Sequence, residues 1–230
     1  KKCRGVIGVT DEIRRHELSF CPELSSHTMS NGINVDSVKP SKKIETRNDQ
    51  LNIIFLAARF APWHGLDYAI QGLIRYSGST PILLHVVGNI NHISNLVDYS
   101  DLKNAEIKFH GELHGDELDS IFDQVDLGIS SLGIHRVGLE EASVLKSREY
   151  FARGLPFVYA YSDSDLTEKE EYALRVHVKE TNYLNFDELV IFSNRTKQIP
   201  ELSSVMRREA LQKVDWAAKL EKLHHFVAVH

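Results

Sequence analysis

Two glutamates and a lysine, Glu141-x4-Lys146-x2-Glu149, lead into Arg153-Gly154-Leu155-Pro156 and then the apolar run Phe157-Val158-Tyr159-Ala160. Ala142, Leu145, Tyr150 and Phe151, with Val144 and Ala152 beside them, predict an amphipathic helix over Ala142–Arg153 that stops at Gly154. Carboxylates eight residues apart on a helix lie about two turns, roughly 12 Å, apart along its axis. That spacing suits gripping two parts of one extended polar ligand and is too wide for two acids sharing a proton. It equally fits two solvated glutamates on a helix face.

Three further constellations carry candidate chemistry. Lys146 lies inside an otherwise core-like helix, where lysine is uncommon; a phosphate role competes with snorkelling to solvent. Arg59 follows the strand-like run Asn52–Ala58, and His64-Gly65 comes five residues later. An arginine fork there can hold a diphosphate, or form a loop salt bridge. Asp163-Ser164-Asp165 is either a metal-binding triplet of the nucleotide-sugar kind or the start of a helix into Leu166-Thr167-Glu168. Twelve histidines include no pair in zinc-site spacing near carboxylates, and His224, His225 and His230 read as a surface cluster. Gly128–Gly133 is not a hydrolase nucleophile elbow, and neither a G-x-G-x-x-G nor a Walker A pattern occurs.

The elements that must position these residues alternate regularly. Gly5–Thr10 reads as a buried strand and Asp11–Phe20 as a helix capped by Thr10 or Asp11; Met29–Asn34 is turn chemistry, and the polar run to Asp49 reads as a linker. Strands are expected at Asn52–Ala58, Ile82–Val87, Glu106–His110, Leu127–Ser130, Phe157–Ala160 and Leu174–Val178. Helices are expected at Leu66–Tyr76, His92–Tyr99, Asp116–Gln124, Ala142–Arg153 and Leu166–Tyr172, with Phe186–Ser193 and Glu201–His225 closing the fold. This is an α/β chain with a doubly wound parallel sheet and helices on both faces. Its ligand crevice is expected beyond the carboxyl ends of the strands, where helix N-termini present free amides to an anion.

The 230 residues suffice for one large α/β domain or one domain with part of another. A net charge of −5 argues against a nucleic-acid partner, though not against a free nucleotide. Cys3 and Cys21 make neither a disulfide framework nor a zinc pattern, which points to a reducing compartment. No apolar run has transmembrane length and no signal-peptide core is visible, so a cytoplasmic location is expected. The chain opens at Lys1 almost directly into a strand, as an excised fragment would.

Six segments, in order, carry a family resemblance: Val6–Thr10 with Glu12-Ile13; Asn31-Gly32-Ile33-Asn34; Ala58-Arg59 followed by His64-Gly65-Leu66-Asp67; His85-Val86-Val87-Gly88; Phe109-His110-Gly111; and Glu141 to Pro156. Together they resemble the C-terminal, donor-binding domain of GT-B glycosyltransferases, specifically the retaining enzymes of glycosyltransferase family 4, over residues 5 to 225. The wording around Trp63-His64-Gly65 and Leu145–Tyr150 looks closest to bacterial polysaccharide-assembly members.

The resemblance implies that residues 1–49 are the end of an N-terminal domain and its linker, and that residues 50–230 bind a nucleotide-diphospho-sugar. It implies transfer of the sugar with retention, with no obligatory cofactor or metal. Arg59 would hold the diphosphate, Glu149 the ribose hydroxyls and Glu141 the donor sugar. Gly88 would lie at the phosphates, Gly111, Leu113 and His114 at the base, and Ser143, Val144 and Leu145 would present helix amides.

The sequence departs from the family in three ways. The family's diphosphate lysine falls on His64, for which Lys146 is the replacement cation. Its glycines after the first glutamate are Ala142, Ser143 and Val144 here. Its acceptor domain would precede Lys1, so that a glycan or lipid-linked acceptor, peripheral membrane contact at the inner face, and efficient transfer itself would depend on that missing half. The competing readings are a nucleotide-sugar epimerase of the same fold and a non-catalytic sugar-nucleotide-binding module.

Overall fold

The computed structural model describes residues 3–42, 49–91 and 98–229. The helix expected over His92–Tyr99 falls mostly outside the described residues. A small parallel sheet pairs β1 (Gly5–Gly8) with β2 (Ser25–Thr28) around α1 (Asp11–Leu18). Thr10 caps that helix, its Oγ1 accepting the Ile13 N–H at 3.2 Å. β2 is polar throughout, which is why periodicity does not reveal it.

The main sheet is parallel and six-stranded. It contains β3 (Leu51–Arg59), β4 (Ile82–Asn89), β5 (Ala105–Gly111), β6 (Leu127–Ile129), β7 (Phe157–Tyr159) and β8 (Ala173–Arg175), in the order β5-β4-β3-β6-β7-β8. β3 and β4 are nearly continuous apolar runs because both of their faces are covered. On one face Leu66, Ile70 and Leu73 of α2 (Leu66–Arg75) and Leu189 and Phe192 of α5 (Phe186–Lys197) pack on Ile53, Phe55, Leu84 and Val86. On the other, Phe122 of α3 (Gly115–Phe122), Tyr150 and Phe151 of α4 (Leu145–Arg153), and Met206 and Ala210 of α6 (Leu202–Lys213) pack on Ile54, Val87 and Phe157. This is the doubly wound α/β architecture expected, with its switch point between β3 and β6.

Besides β1, expected to be buried but with Ile7 exposed, three segments differ from expectation. Leu166–Tyr172 is not helical. Glu168 takes a left-handed φ of 62°, Lys213 draws the Glu170 carboxylate to 3.0 Å, and Tyr172 donates to Glu209 at 2.7 Å. Tertiary partners thus override a helix-compatible composition. The single closing helix is two, α6 and α7 (Trp216–Val229), broken where Ile33 bridges to Asp215. The Ile33 N–H donates to Val214 and the Trp216 N–H to Ile33, so the linker inserts into the break.

The third difference is at the start of α4, at Leu145 rather than Ala142. Glu141 instead bridges Ser162, and the Ala142 N–H donates to the Ser162 carbonyl at 2.9 Å. The two glutamates therefore do not share one helix.

Candidate functional site

A cleft of about 850 Å³ opens at the carboxyl ends of the strands, at the switch point. Its floor is the end of β3 and β4. The pairing Leu56↔Val87 gives way to Arg59↔Asn89, so one extra residue of β3 bulges there. Gly88 faces the bulge with φ of 129°; a Cβ on it would meet the Ala57 carbonyl oxygen at 1.5 Å. Only glycine fits. Ala57, Ala58, Val87 and Gly88 all line the cleft.

One wall is the first turn of α4. Ser143, Val144, Leu145, Lys146 and Glu149 line the cleft, and no side chain caps the helix at Val144. Its first turn is therefore uncapped at the cleft, as a helix that receives an anion is. Lys146 is 7% exposed and its Nζ has no hydrogen-bond partner among the described residues. Burial pushes its pKa well below the usual lysine range. Glu149 stays one turn further on, paired with Arg153 at 3.0 Å.

The opposite side carries Trp63 and His64, whose ring centroids lie 3.6 Å apart. The Ala61 N–H donates to Nδ1 of His64 at 2.9 Å, which leaves Nε2 as the protonated nitrogen of the neutral ring. Burial pushes the His64 pKa down, and the Lys146 charge, wherever that amine is protonated, carries it to about 3. His64 is therefore a neutral N–H donor near pH 7 rather than a part-time cation. Leu113 and His114, after β5, also line the cleft, and Gly111 makes the left-handed turn before them.

Three expected residues lie outside the lining: Gly111, at the turn just described, Arg59 and Glu141. Arg59 is exposed at the end of β3, next to the lining residue Ala58, and forms no ion pair among the described residues. Glu141 turns to the N-terminal layer. Its Oε2 accepts the Glu12 N–H at 2.8 Å and its Oε1 binds Arg15 at 2.8 Å, while Glu12 Oε2 accepts the N–H groups of Glu140 and Glu141.

The Asp163–Asp165 triplet is neither a helix start nor a free acidic pair. The buried Arg148 binds Asp163 and Asp165 and donates to Ser143 Oγ at 2.9 Å and to the Asn31 carbonyl at 3.0 Å. Burial opposes the charge on Arg148, but Asp163 beside it holds the pKa above the ordinary arginine value. Lys219 of α7 completes the network on Asp165 at 2.8 Å and also binds Ser30. Among the described residues no group of three or more His, Cys, Asp or Glu is placed to hold a metal ion.

Asn31, Gly32 and Ile33 from the linker and Leu118 of α3 also line the cleft and were not expected there. The turn chemistry at Asn31-Gly32 was the available signal, since the Asn31 N–H donates to Ser143 Oγ at 2.7 Å. Glu112 and the apolar Ile134, Val137 and Leu139 line it from the segments after β5 and β6, where the crevice was expected.

No protein-family model matches the sequence, and no curated protein matches it. Solved structures do. Sucrose-phosphate synthase from Thermosynechococcus elongatus superposes with a TM-score of 0.69 at 14% identity, over 99% of this chain and 59% of that one. HepE from Anabaena, in complex with UDP-glucose, gives 0.66 at 13% identity, over 100% and 65%. The lipopolysaccharide outer core galactosyltransferase WaaB gives 0.69 at 12% identity, over 99% and 63%. At these identities the likeness is one of fold, and the resemblance read from the sequence holds at that level. The chain has the α/β fold of a GT-B domain and spans 59% to 65% of the length of these structures.

Proposed function

We propose that the cleft binds the nucleotide-diphosphate end of a sugar nucleotide, and that the chain supplies the donor-binding part of a retaining glycosyltransferase of bacterial polysaccharide assembly. The observation that carries this reading is the uncapped first turn of α4 at the switch-point cleft, with the buried Lys146 in the same lining and no acceptor on its Nζ among the described residues. Uncapped amides and a lysine in one lining suit an anion. UDP is the preferred nucleotide, because HepE was solved with UDP-glucose.

In this reading the α4 amides of Val144 and Leu145 and the Lys146 amine receive the diphosphate, His64 donates a hydrogen bond from Nε2, and Arg59 swings in from the rim. The Glu149 carboxylate accepts from the ribose hydroxyls. Gly88 lets the ligand approach the sheet, and Leu113 and His114 lie against the base. Glu141 contacts the donor sugar only by exchanging its bonds to Glu12 and Arg15. Rate acceleration would come from positioning and from stabilising charge on the departing diphosphate. A glycan or lipid-linked acceptor would be held largely by the remainder of such an enzyme.

Titration calorimetry of the chain against UDP, GDP and ADP tests the site and the base together. Saturable UDP binding, weakened at least tenfold by Glu149→Ala, is the expected result. No binding of any nucleoside diphosphate at millimolar concentration would overturn the reading.

A further inference from the structure

The Lys146 side chain leaves the first turn of α4 and ends with Nζ 4.9 Å from the Phe55 ring centre and 5.8 Å from that of Phe60. An ammonium there has three donors and, among the described residues, no acceptor. Two aromatic faces offset only part of its lost hydration. The titratable groups around it do not supply the missing charge. His64, from the segment after β3, is neutral. Glu149, on α4 itself, is held by Arg153. Glu112 and His114 line the cleft from the loop after β5, and Glu112 accepts from Asn89 at 3.2 Å.

We propose that Lys146 is a proton-coupled anion receptor: an uncharged amine in the empty cleft that takes a proton from solvent as phosphate oxygens arrive, so that ligand binding and protonation are one event. This rests on the diphosphate reading above and adds a proton to it. The arriving anion gives the new ammonium both a counter-charge and the hydrogen-bond acceptors it lacks, which raises the amine's basicity. The lone pair of Nζ accepts the proton, a buffer base is left behind, and no other bond changes. Affinity therefore weakens with rising pH, by up to about tenfold per unit, between the free and bound titrations of the amine.

The test is calorimetry with UDP and, separately, inorganic pyrophosphate, at about pH 8 in non-phosphate buffers of low and high ionisation enthalpy. Wild type should take up about one proton per ligand. Lys146→Arg, with a fixed charge, should bind with no uptake. Binding by wild type without proton uptake, or uptake that persists in Lys146→Arg, overturns the proposal. Pyrophosphate bound with uptake, and UDP bound no tighter, supports the role of Lys146 while removing the nucleotide from the reading above. If neither ligand binds, the diphosphate reading fails, and the amine is judged alone by an NMR pH titration of its side-chain carbon and nitrogen in the free protein. Titration alongside the exposed lysines then overturns the proposal, and titration well below them upholds a neutral amine.

Discussion

Glu12 and Glu141 hold each other's backbone. The carboxylate of Glu141 accepts the Glu12 N–H at 2.8 Å, and that of Glu12 accepts the Glu141 N–H at 2.9 Å. This reciprocal clasp joins α1 to the strand-like approach to α4. Glu12→Ala and Glu141→Ala should each cost about 1.5–3 kcal/mol in chemical denaturation, the range for hydrogen bonds to charged groups. Midpoints unchanged in both variants would show that the clasp contributes nothing.

Glu149 and Arg59 should separate binding from fold. Either change to alanine should weaken UDP binding by about 1.5–3 kcal/mol, the range for hydrogen bonds to charged groups. Melting temperature should change little for Arg59→Ala, whose side chain is exposed. Two variants binding UDP within twofold of wild type would remove both residues from the site.

Lys146→Met should make the protein more stable and the cleft worse. Removing a buried donor without a partner relieves about 1–3 kcal/mol of desolvation cost. The sign follows from linkage. The folded amine titrates below its unfolded value near 10.5, so the unfolded chain binds more protons between those values and stability rises with pH there. In Lys146→Met that rise should disappear. A lower midpoint of denaturation at neutral pH would contradict the account.

Acid should weaken the fold through two buried imidazoles. His85 donates to or accepts from His110 across 3.0 Å, and burial first, with His110 second, pushes its pKa down to about 4. His64 lies lower still, at about 3. Each stabilises fully above about pH 6.5, the unfolded value, and loses that contribution as pH falls through its folded value. Denaturation midpoints of wild type should therefore fall from pH 6.5 toward 4, and His85→Gln should flatten part of that slope. An unchanged profile in His85→Gln would assign the acid loss elsewhere.

Gly88→Ala should be among the most damaging single changes. Its Cβ would enter the Ala57 carbonyl oxygen, so β3 and β4 must part beside the cleft, at a cost of about 3 kcal/mol or more. Stability near wild type would mean that the bulge is free to shift.

The parallel sheet was legible because β3 and β4 are apolar on both faces, and such runs have few other solutions. The cleft's position followed from topology, and Lys146 stood out because a charge interrupts a core-like pattern. What failed was everything decided by distant partners. The start of α4 depends on Ser162, and the break before α7 depends on Ile33. Asp163 and Asp165 depend on Arg148 and on Lys219, the latter 54 residues from Asp165. Leu166–Tyr172 has helical composition, yet Lys213 and Glu209 hold it otherwise. Side-chain aim was the least readable: Glu141 was expected at the donor sugar, but nothing in its neighbours named Arg15.

The small sheet and the main domain meet at one short stretch of backbone. The Met29 N–H still donates to Gly8 of the small sheet, whereas the next residue, Ser30, is bound by Asp165 and Lys219. The chain changes allegiance between adjacent residues. α7 spans the same junction, its Phe226 ring stacked on His27 of β2 and its Lys219 on Asp165, so one helix ties the small sheet to the wall of the cleft.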